Sequence, residues 1–264
     1  MDDDSTVVLV SGATGVIGNV IANELAATSG YEVVLLARDE QRAKMAVDEI
    51  RRNSGNDSVR FIVADVSRRQ SVQAVAENWE GPLHVLVNNA GVAPRKRGTT
   101  PEGIELTFAT NVLGYLWVTQ AFAPHLATCA PARIVNVASY YAGDLDLDDL
   151  EFRSRPFDNR IAYRQSKQAN RMITVMQAEE LAASGITINS CHPGNPSSTL
   201  SRALGFGGVQ SPDESARTPV MLACGELGAG LTGRYFAEGS EAPCEFAEDR
   251  DTARKLYRIC QKYN

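Results

Sequence analysis

Short apolar runs alternate with longer amphipathic runs along nearly the whole chain, and this alternation is the strongest constraint on the fold. The short runs are rich in Val, Ile and Leu, which is typical of strands covered on both faces. Strands that alternate with helices build βαβ units and a parallel sheet. The sequence therefore predicts an α/β fold, a doubly wound Rossmann-type sheet of about seven strands with helices on both faces. Strands are predicted at 6–11, 32–37, 59–65, 83–88, 133–138, 186–192 and 230–236, and helices at 18–29, 39–53, 68–78, 100–129 and 162–184.

The length of the chain fits one large core. It has 264 residues, of which 44% are hydrophobic and 22% are charged, and α/β chains of about 250 residues often fold as one unit. We predict a single domain over residues 1–264. Two segments interrupt the alternation near 140–160 and 194–212, and both follow predicted strands. Because ligands of open parallel sheets lie beyond the carboxyl ends of the strands, these segments are predicted to be substrate loops.

Composition excludes several classes of function. The net charge of −6 argues against nucleic-acid binding, which needs a basic face. No apolar run approaches the ~20 residues that span a bilayer, and residues 1–4 do not resemble a secretory or mitochondrial leader. The five cysteines form no C-x-x-C pair, and the three histidines lie far apart, so no disulfide framework and no metal site is predicted. We expect a cytoplasmic protein.

A glycine-rich turn follows the first predicted strand and opens the first predicted helix. Its sequence from Ser11 to Gly18 is S-G-A-T-G-V-I-G. Glycines allow a tight turn and a close approach of the backbone to phosphate, and a helix N-terminus offers free N–H groups and partial positive charge. We therefore predict that this turn binds the pyrophosphate of a dinucleotide. The residues predicted to contact the cofactor here are Gly12, Thr14, Gly15, Val16, Ile17 and Gly18.

The end of the second predicted strand indicates which dinucleotide binds. NAD sites usually carry an acidic residue there, which hydrogen-bonds the adenine ribose hydroxyls. In this chain Ala37 occupies that position and Arg38 follows it. A guanidinium can hold the 2′-phosphate of NADP through two hydrogen bonds. The sequence thus favours NADP(H) over NAD(H), with Arg38 as the phosphate ligand.

A tyrosine and a lysine lie four residues apart near the start of the last long predicted helix. Four residues turn a helix by about 400°, so Tyr163 and Lys167 project from nearly the same face. A phenol ordinarily titrates near ~10, and a neighbouring ammonium favours the phenolate and lowers that pKa. The pair can therefore act as a general acid/base that protonates a carbonyl oxygen.

Further polar motifs follow the glycine turn in a fixed order. The sequence N-N-A-G at 88–91 ends the fourth predicted strand, Asn111 lies in the next helix, and Ser139 follows the fifth strand. With the Tyr163 and Lys167 pair, these motifs give a chain that resembles the short-chain dehydrogenases/reductases over nearly its whole length. The resemblance implies a Rossmann-type fold and an oxidoreductase that acts on CH–OH and C=O groups.

The same resemblance implies a role for each matched residue. Asn111, Ser139, Tyr163 and Lys167 correspond to the catalytic residues of that family. Ser139 would hydrogen-bond the substrate oxygen and Tyr163 would transfer the proton. Lys167 would lower the pKa of Tyr163 and hold the nicotinamide ribose, while Asn111 would support a water-mediated proton path. Implied cofactor contacts are Asp65, Val66, Asn89, Ala90, Gly91, Tyr163, Lys167, Pro193, Gly194 and Ser198.

Within the family, the chain is most similar to the retinol dehydrogenase-like reductases. The stretch at 146–150 resembles their insert between the catalytic Ser and Tyr, and A-Y-R-Q-S-K-Q-A-N at 162–170 resembles their A-Y-x-x-S-K-x-A-N. Those relatives mostly use NADP and act on lipophilic alcohols, aldehydes or ketones. Three features depart from the family pattern. The glycine spacing is G-x-x-G-x-x-G, His84 replaces a common Asp, and either Ser198 or Thr199 could meet the cofactor carboxamide.

The residues after the sixth strand predict an apolar cover for the substrate. The segment 200–208 combines leucines and a phenylalanine with glycines, a composition typical of a mobile loop that excludes water. With Tyr140 and Tyr141 it would form a hydrophobic pocket. We therefore expect an NADP-dependent oxidoreductase of a lipophilic small molecule, with a homo-oligomer through the long helices as one possibility. Two alternatives stay open, because fold does not fix chemistry: a non-redox enzyme of the epimerase or dehydratase type, and a non-catalytic NADP-binding regulator.

Overall fold

One eight-stranded sheet organises the protein. The computed structural model describes residues 5–264, and its strand order is β3-β2-β1-β4-β5-β6-β7-β8. Strands β1 to β7 are parallel to their neighbours and β8 pairs antiparallel with β7. The Rossmann-type α/β prediction is confirmed. The strands are β1 (Thr6–Ser11), β2 (Tyr31–Ala37), β3 (Val59–Val63), β4 (Val85–Asn88), β5 (Ala132–Val137), β6 (Ile186–Cys191), β7 (Tyr235–Ala237) and β8 (Ser240–Glu241).

Helices cover both faces of the sheet and enclose two cores. One core lies under α3, α5, α6 and α10, and the other lies under α1, α2 and α8. Within residues 5–264, no helix is both long and apolar enough to cross a membrane. The helices are α1 (Val16–Ala27), α2 (Glu40–Ser54), α3 (Arg69–Glu77), α4 (Leu106–Phe108), a π-helical turn (Ala109–Leu113), α5 (Gly114–Thr128), α6 (Asn159–Glu180), α7 (Thr199–Ala203), α8 (Pro212–Cys224), α9 (Glu245–Glu248), α10 (Arg250–Cys260) and a final 3₁₀ turn (Gln261–Tyr263).

The sequence prediction was wrong about the number of strands and several helix limits. The predicted seventh strand at 230–236 begins only at Tyr235, and a two-residue strand β8 makes the count eight. The helix predicted at 100–129 begins at Leu106, because the Glu105 carboxylate accepts hydrogen bonds from the first N–H groups of α4. Helix α8 lies outside the predicted helices, although the Ser211 and Glu214 side chains form a capping box that marks its start.

The topology places a ligand crevice at the centre of the sheet. Strand β1 lies between β2 and β4, so the chain order reverses on either side of it. At such a switch point, the loops that leave neighbouring strands diverge and open a crevice at the carboxyl ends. The glycine turn after β1 and the N-N-A-G motif after β4 both open at this place. His84, just before β4, accepts a hydrogen bond from Val7 N at 2.9 Å, which accounts for its position beside β1.

A buried ladder of polar side chains joins the central strands to the helices behind them. Asn88 and Asn136 are directly paired on β4 and β5 and are 0% and 1% exposed. Asn88 Nδ2 donates to Asn136 Oδ1 at 2.9 Å, and Asn136 Nδ2 donates to Thr174 Oγ1 at 2.9 Å. Buried polar groups stabilise a fold only when they are paired. This ladder therefore fixes how α6 sits on β5.

We expect Asn136→Ala to destabilise the protein by about 1–3 kcal/mol, because it leaves the buried Asn88 amide and Thr174 hydroxyl short of a partner. Urea unfolding measures the effect. Asn78→Ala is the matched control, since the Asn78 amide also donates one hydrogen bond, to Ala74 O, but on the exposed surface. An equal loss of stability in the two variants would contradict the role of the ladder.

Candidate active site

The glycine turn after β1 is held in a shape that only small residues permit. Gly12 has φ +66°, and a Cβ there would lie 2.7 Å from Ala90 Cα. A Cβ on Gly18 would lie 2.4 Å from Gly12 O. Gly15 N donates to Gly12 O at 3.0 Å and closes the turn. The G-x-x-G-x-x-G spacing thus gives a compact phosphate-type turn, with Gly12 and Gly18 in mutual contact.

The N-N-A-G motif fastens this turn from the neighbouring strand. Asn89 Nδ2 donates to Ser11 O at 3.0 Å and to Gly12 O at 3.3 Å. In return, Ser11 Oγ accepts from the backbone N–H groups of Asn89 and Ala90. Gly91 follows and lies near Asn111 Oδ1. Asn89 therefore shapes the turn with its side chain, a contact that sequence reasoning had assigned only to the cofactor.

The first turn of α1 suits an anion. Its N-cap Gly15 has no side chain to cap the helix, and the first turn carries no acidic residue. Thr14 and Gly15 lie at the opening, and Val16 is 37% exposed. Free N–H groups and the helix dipole at such an end bind phosphate. The glycine turn, the uncapped helix end and the switch point together fit a dinucleotide cofactor.

Two arginines lie beside the glycine turn. Arg38 follows β2 as predicted and is exposed. Arg42, one turn into α2, donates from Nη2 to Thr14 O at 3.0 Å. Asp39 accepts a hydrogen bond from Arg42 N and so serves as the N-cap of α2. The sequence analysis missed Arg42, because Arg38 lies before the helix and only the fold brings Arg42 of α2 against the glycine turn.

The cofactor residues predicted beyond β3 and β6 are already engaged in local contacts. Asp65 Oδ1 accepts from Ser67 N and Ser67 Oγ, and Val66 is packed in the core. Pro193 and Gly194 lie in the loop after β6. Ser198 is the N-cap of α7, where its hydroxyl accepts from Ser201 N at 3.0 Å, whereas Thr199 is exposed. Their predicted contacts with a cofactor stay predictions.

The four predicted catalytic residues come from three parts of the chain, the π-helical turn, the loop after β5 and helix α6, and meet at the carboxyl ends of β4 and β5. Asn111, Ser139, Tyr163 and Lys167 are 0%, 9%, 7% and 3% exposed. Lys167 Nζ lies 5.6 Å from the Tyr163 ring centre and donates to Val137 O at 2.9 Å. The Ser139 side chain lies near enough to the Tyr163 phenol to act on its pKa. The hydroxyl groups of Ser139 and Tyr163 can therefore both hydrogen-bond the same oxygen atom of a substrate.

Asn111 connects the site to the loop after β4. It lies in the π-helical turn between α4 and α5, where its buried side chain hydrogen-bonds two other residues. Oδ1 accepts from Val92 N at 2.8 Å, and Nδ2 donates to Ser166 Oγ at 3.0 Å. Asn170 Nδ2 donates to the Asn111 carbonyl at 2.7 Å. These bonds hold Asn111 against α6 beside Tyr163. A π-bulge inside a helix is frequently found at functional sites.

The protonation of the pair differs from the sequence expectation. Burial raises the pKa of Tyr163 to about 12, although the nearby Ser139 side chain acts to lower it. Burial also lowers the pKa of Lys167 to about 7. The expectation that Lys167 depresses the pKa of Tyr163 was wrong for this structure, because desolvation dominates both groups. At neutral pH the phenol is protonated, and Lys167 titrates near that pH.

An apolar cover closes over Tyr163. Leu204 and Ala93 are buried against it, with Leu200 and Phe206 packed on the outside. The Tyr141 ring lies 4.9 Å from Phe206 and 6.5 Å from Tyr163. Residues of the 200–208 segment and Tyr141 thus pack together beside Tyr163, and the role of that segment as a mobile lid stays a prediction. Tyr140 was predicted to join this pocket, but its ring packs instead against His192, with 4.2 Å between the ring centres.

The loop before α6 is folded by its own acidic side chains. Asp149 accepts from Arg153 N, Ser154 N and Arg155 N, and these bonds outweigh burial and lower its pKa to about 2. Glu151 accepts from Tyr263 Oη at 2.8 Å near the C-terminus. Asp149 and Glu151 are both buried. The hydrogen bonds to these two carboxylates fix the path of the backbone just before α6.

The fold and the site agree with comparisons against known proteins. A family model described as short chain dehydrogenase matches residues 6–205, and the chain belongs to this family. Retinol dehydrogenase 13 from Homo sapiens is 34% identical over 272 aligned residues, which cover 95% of this chain and 82% of that protein. The protein is therefore a retinol dehydrogenase-like member of an oxidoreductase family that acts on alcohols and carbonyls.

Two solved structures are similar over most of the chain. The 3-ketoacyl-(acyl-carrier-protein) reductase from Brucella melitensis, complexed with NADH, has a TM-score of 0.69 and 26% identity, and the match covers 89% of this chain and 96% of that one. An actinorhodin polyketide ketoreductase variant with NADPH has a TM-score of 0.68 and 26% identity, over 89% and 95% of the two chains. Structures of this fold thus bind either nicotinamide cofactor.

The depressed pKa of Lys167 makes the stability depend on pH. In the unfolded chain Lys167 keeps its proton up to about 10.5, whereas in the folded protein it loses the proton near 7. Between these values folding releases a proton, so the free energy of unfolding rises with pH. We expect this rise, at most about 1.4 kcal/mol per pH unit, to disappear in Lys167→Met.

Urea unfolding of wild type and Lys167→Met from pH 7 to pH 10 measures this dependence. Lys44→Met on the exposed face of α2 is the control and should follow the wild type. Parallel curves for wild type and Lys167→Met would show that the lysine keeps its ordinary pKa in the folded protein.

Proposed function

We propose that the protein is an NADP-dependent oxidoreductase that interconverts a carbonyl and an alcohol on a lipophilic small molecule, with Tyr163 as the general acid/base. The observation that carries this proposal is the gathering of Ser139, Tyr163 and Lys167 under an apolar cover, next to a glycine turn that fits a dinucleotide. Membership of the short-chain dehydrogenase family supports it.

At the substrate carbon, the hydride would come from, or pass to, a nicotinamide cofactor held at the glycine turn from Gly12 to Gly18. Ser139 donates a hydrogen bond to the substrate oxygen, and Tyr163 gives that oxygen its proton during reduction. A raised pKa suits this role, since the phenol remains protonated at neutral pH. Lys167, which titrates near neutral pH, takes part in returning the proton, along a path that Asn111 supports. Leu204 and its neighbours exclude water from the reacting atoms.

The apolar cover supports a lipophilic substrate. Leu200, Leu204, Phe206 and Tyr141 surround the exposed edge of Tyr163. Such a lining favours a substrate that is apolar around its reactive oxygen, because little but the catalytic hydroxyls offers it a hydrogen bond. The similarity to a retinol dehydrogenase supports the same class of substrate.

The two arginines support NADP as the cofactor. Ala37 stands where an NAD site would carry an acid, Arg38 follows it, and Arg42 donates a hydrogen bond to Thr14 O in the glycine turn. Both are exposed and can turn towards a 2′-phosphate at the end of β2. Two guanidinium groups around one phosphate give charge-assisted hydrogen bonds that a ribose hydroxyl cannot match.

We expect Tyr163→Phe to lower kcat by 10²-fold or more, because a positioned general acid contributes about 10²–10⁴-fold. The assay follows NADPH oxidation with a panel of lipophilic aldehydes and ketones. Tyr31→Phe is the control, since Tyr31 lies at the amino end of β2, away from the carboxyl ends of the strands where the site lies. NADPH affinity, measured by fluorescence titration, should be unchanged. An unaltered kcat in Tyr163→Phe would remove this tyrosine from the proton transfer.

Replacing both Arg38 and Arg42 by Ala should weaken NADPH binding by about 10–100-fold, as expected for lost hydrogen bonds to a charged group worth about 1.5–3 kcal/mol. NADH binding should change little, because NADH lacks the 2′-phosphate. Titration of NADPH and of NADH with wild type and variant gives the Kd of each cofactor, and so the preference of each protein for NADPH over NADH. Arg52→Ala, on the same helix but in its last turn, is the control. An equal loss of affinity for NADPH and NADH would contradict the assignment of the two arginines to the 2′-phosphate.

A further inference from the structure

We propose that Arg171 and His192 are positioning residues that hold the two ends of the peptide group between Ser139 and Tyr140, and so fix the catalytic serine. This inference rests on the proposed function for the role of Ser139. Neither residue belongs to the motifs that identify the family in this sequence. Arg171 lies on α6 and His192 follows β6, so the two side chains reach the peptide from different elements.

Arg171 and His192 hydrogen-bond opposite ends of the peptide group between Ser139 and Tyr140. The Ser139 carbonyl accepts a hydrogen bond from Arg171 Nη2, and Tyr140 N donates to His192 Nδ1 at 3.2 Å. Because a peptide group is rigid and planar, holding its carbonyl and its N–H together fixes its orientation. Ser139 Oγ accepts from Tyr141 N at 3.0 Å in the same turn. Rotation of the peptide would therefore move the serine hydroxyl away from Tyr163.

The burial of Arg171 is difficult to explain as packing alone. Its side chain is 6% exposed, and among residues 5–264 no carboxylate lies within salt-bridge distance of it. Its guanidinium stacks 3.8 Å from the Tyr235 ring centre, and Nη2 also donates to Tyr235 Oη at 2.8 Å. A buried, unpaired cation is costly. The helix places this cation one turn after Lys167 and two turns after Tyr163, on the face that carries the site.

The charge of Arg171 also helps to keep the His192 imidazole neutral, the form in which it can accept a hydrogen bond. Burial and the nearby guanidinium lower the pKa of His192 to about 4. The imidazole is therefore neutral at physiological pH, and Nδ1 keeps the lone pair that accepts the Tyr140 N–H. The groups that face this pair are Arg171 on α6, Tyr140 after β5 and Tyr235 on β7. Glu238, in the turn after β7, acts on Tyr140.

The kinetic test compares variants that keep or lose each contact. Arg171→Met removes the donor, and His192→Phe keeps a ring against Tyr140 but removes the acceptor. We expect each to lower kcat for carbonyl reduction by tenfold or more, with the KM for NADPH within twofold of wild type. Arg171→Lys and His192→Asn retain a donor and an acceptor and should recover part of the loss.

Arg133→Met is the matched control, because Arg133 Nε also donates to a backbone carbonyl, Ala223 O, but at the opposite end of β5. Its kcat should equal that of the wild type. If Arg171→Met fails to fold, the comparison of His192→Phe with His192→Asn still decides the matter. Wild-type kcat in both His192 variants, or no difference between Arg171→Met and Arg133→Met, would overturn the proposal.

A titration followed by NMR separates this inference from the proposed function. In the wild type, the His192 ring should remain neutral down to about pH 4, and in Arg171→Met its pKa should rise, because burial remains but the neighbouring positive charge is gone. The low-pH limb of kcat should shift in parallel. An unchanged His192 titration would contradict the electrostatic link. A wild type that titrates as expected but reduces no carbonyl in the panel would overturn the proposed function and leave the peptide contacts standing.

Discussion

The structure depends on how helix α6 buries cations against the end of strand β5. Lys167 donates to the Val137 carbonyl and Arg171 donates to the Ser139 carbonyl, so two charged side chains one turn apart hold two alternate carbonyls. Within residues 5–264 no carboxylate forms an ion pair with either side chain, and such burial of a charge costs folding free energy. Met172, Ile173 and their neighbours on α6 offset that cost in the core. The helix that stabilises the sheet is thereby the helix that carries the chemistry.

Much of the fold could be predicted from the sequence, because buried parallel strands show themselves as uninterrupted runs of Val, Ile and Leu. The run at 133–138 is strand Ala132–Val137, and the run at 6–11 is strand Thr6–Ser11. Edges were harder. Strand β7 was placed too early because glycines precede it, and β8 has only two residues, too few to show any periodicity.

The candidate site was predictable where its residues follow the local order of the chain, and not where distant residues meet. Tyr163 and Lys167 share a helix face by their spacing alone. Arg171 and Ser139 are 32 residues apart and Tyr140 and His192 are 52 apart, so no local pattern indicates these contacts. A hint existed for Arg171, since a lone charge stands next to Met172 and Ile173 on the catalytic face of a helix.

The pKa of Tyr163 shows why a spacing rule could not describe the chemistry. The spacing predicted a phenol made acidic by Lys167, yet the pKa is set by burial under Leu204 and its neighbours. Displacing that cover would hydrate the phenol and bring its pKa back towards 10. The same apolar side chains that would select the substrate thus also set the proton affinity of the acid. Specificity and proton transfer are coupled through one apolar cover, and a substitution made there to change one alters the other.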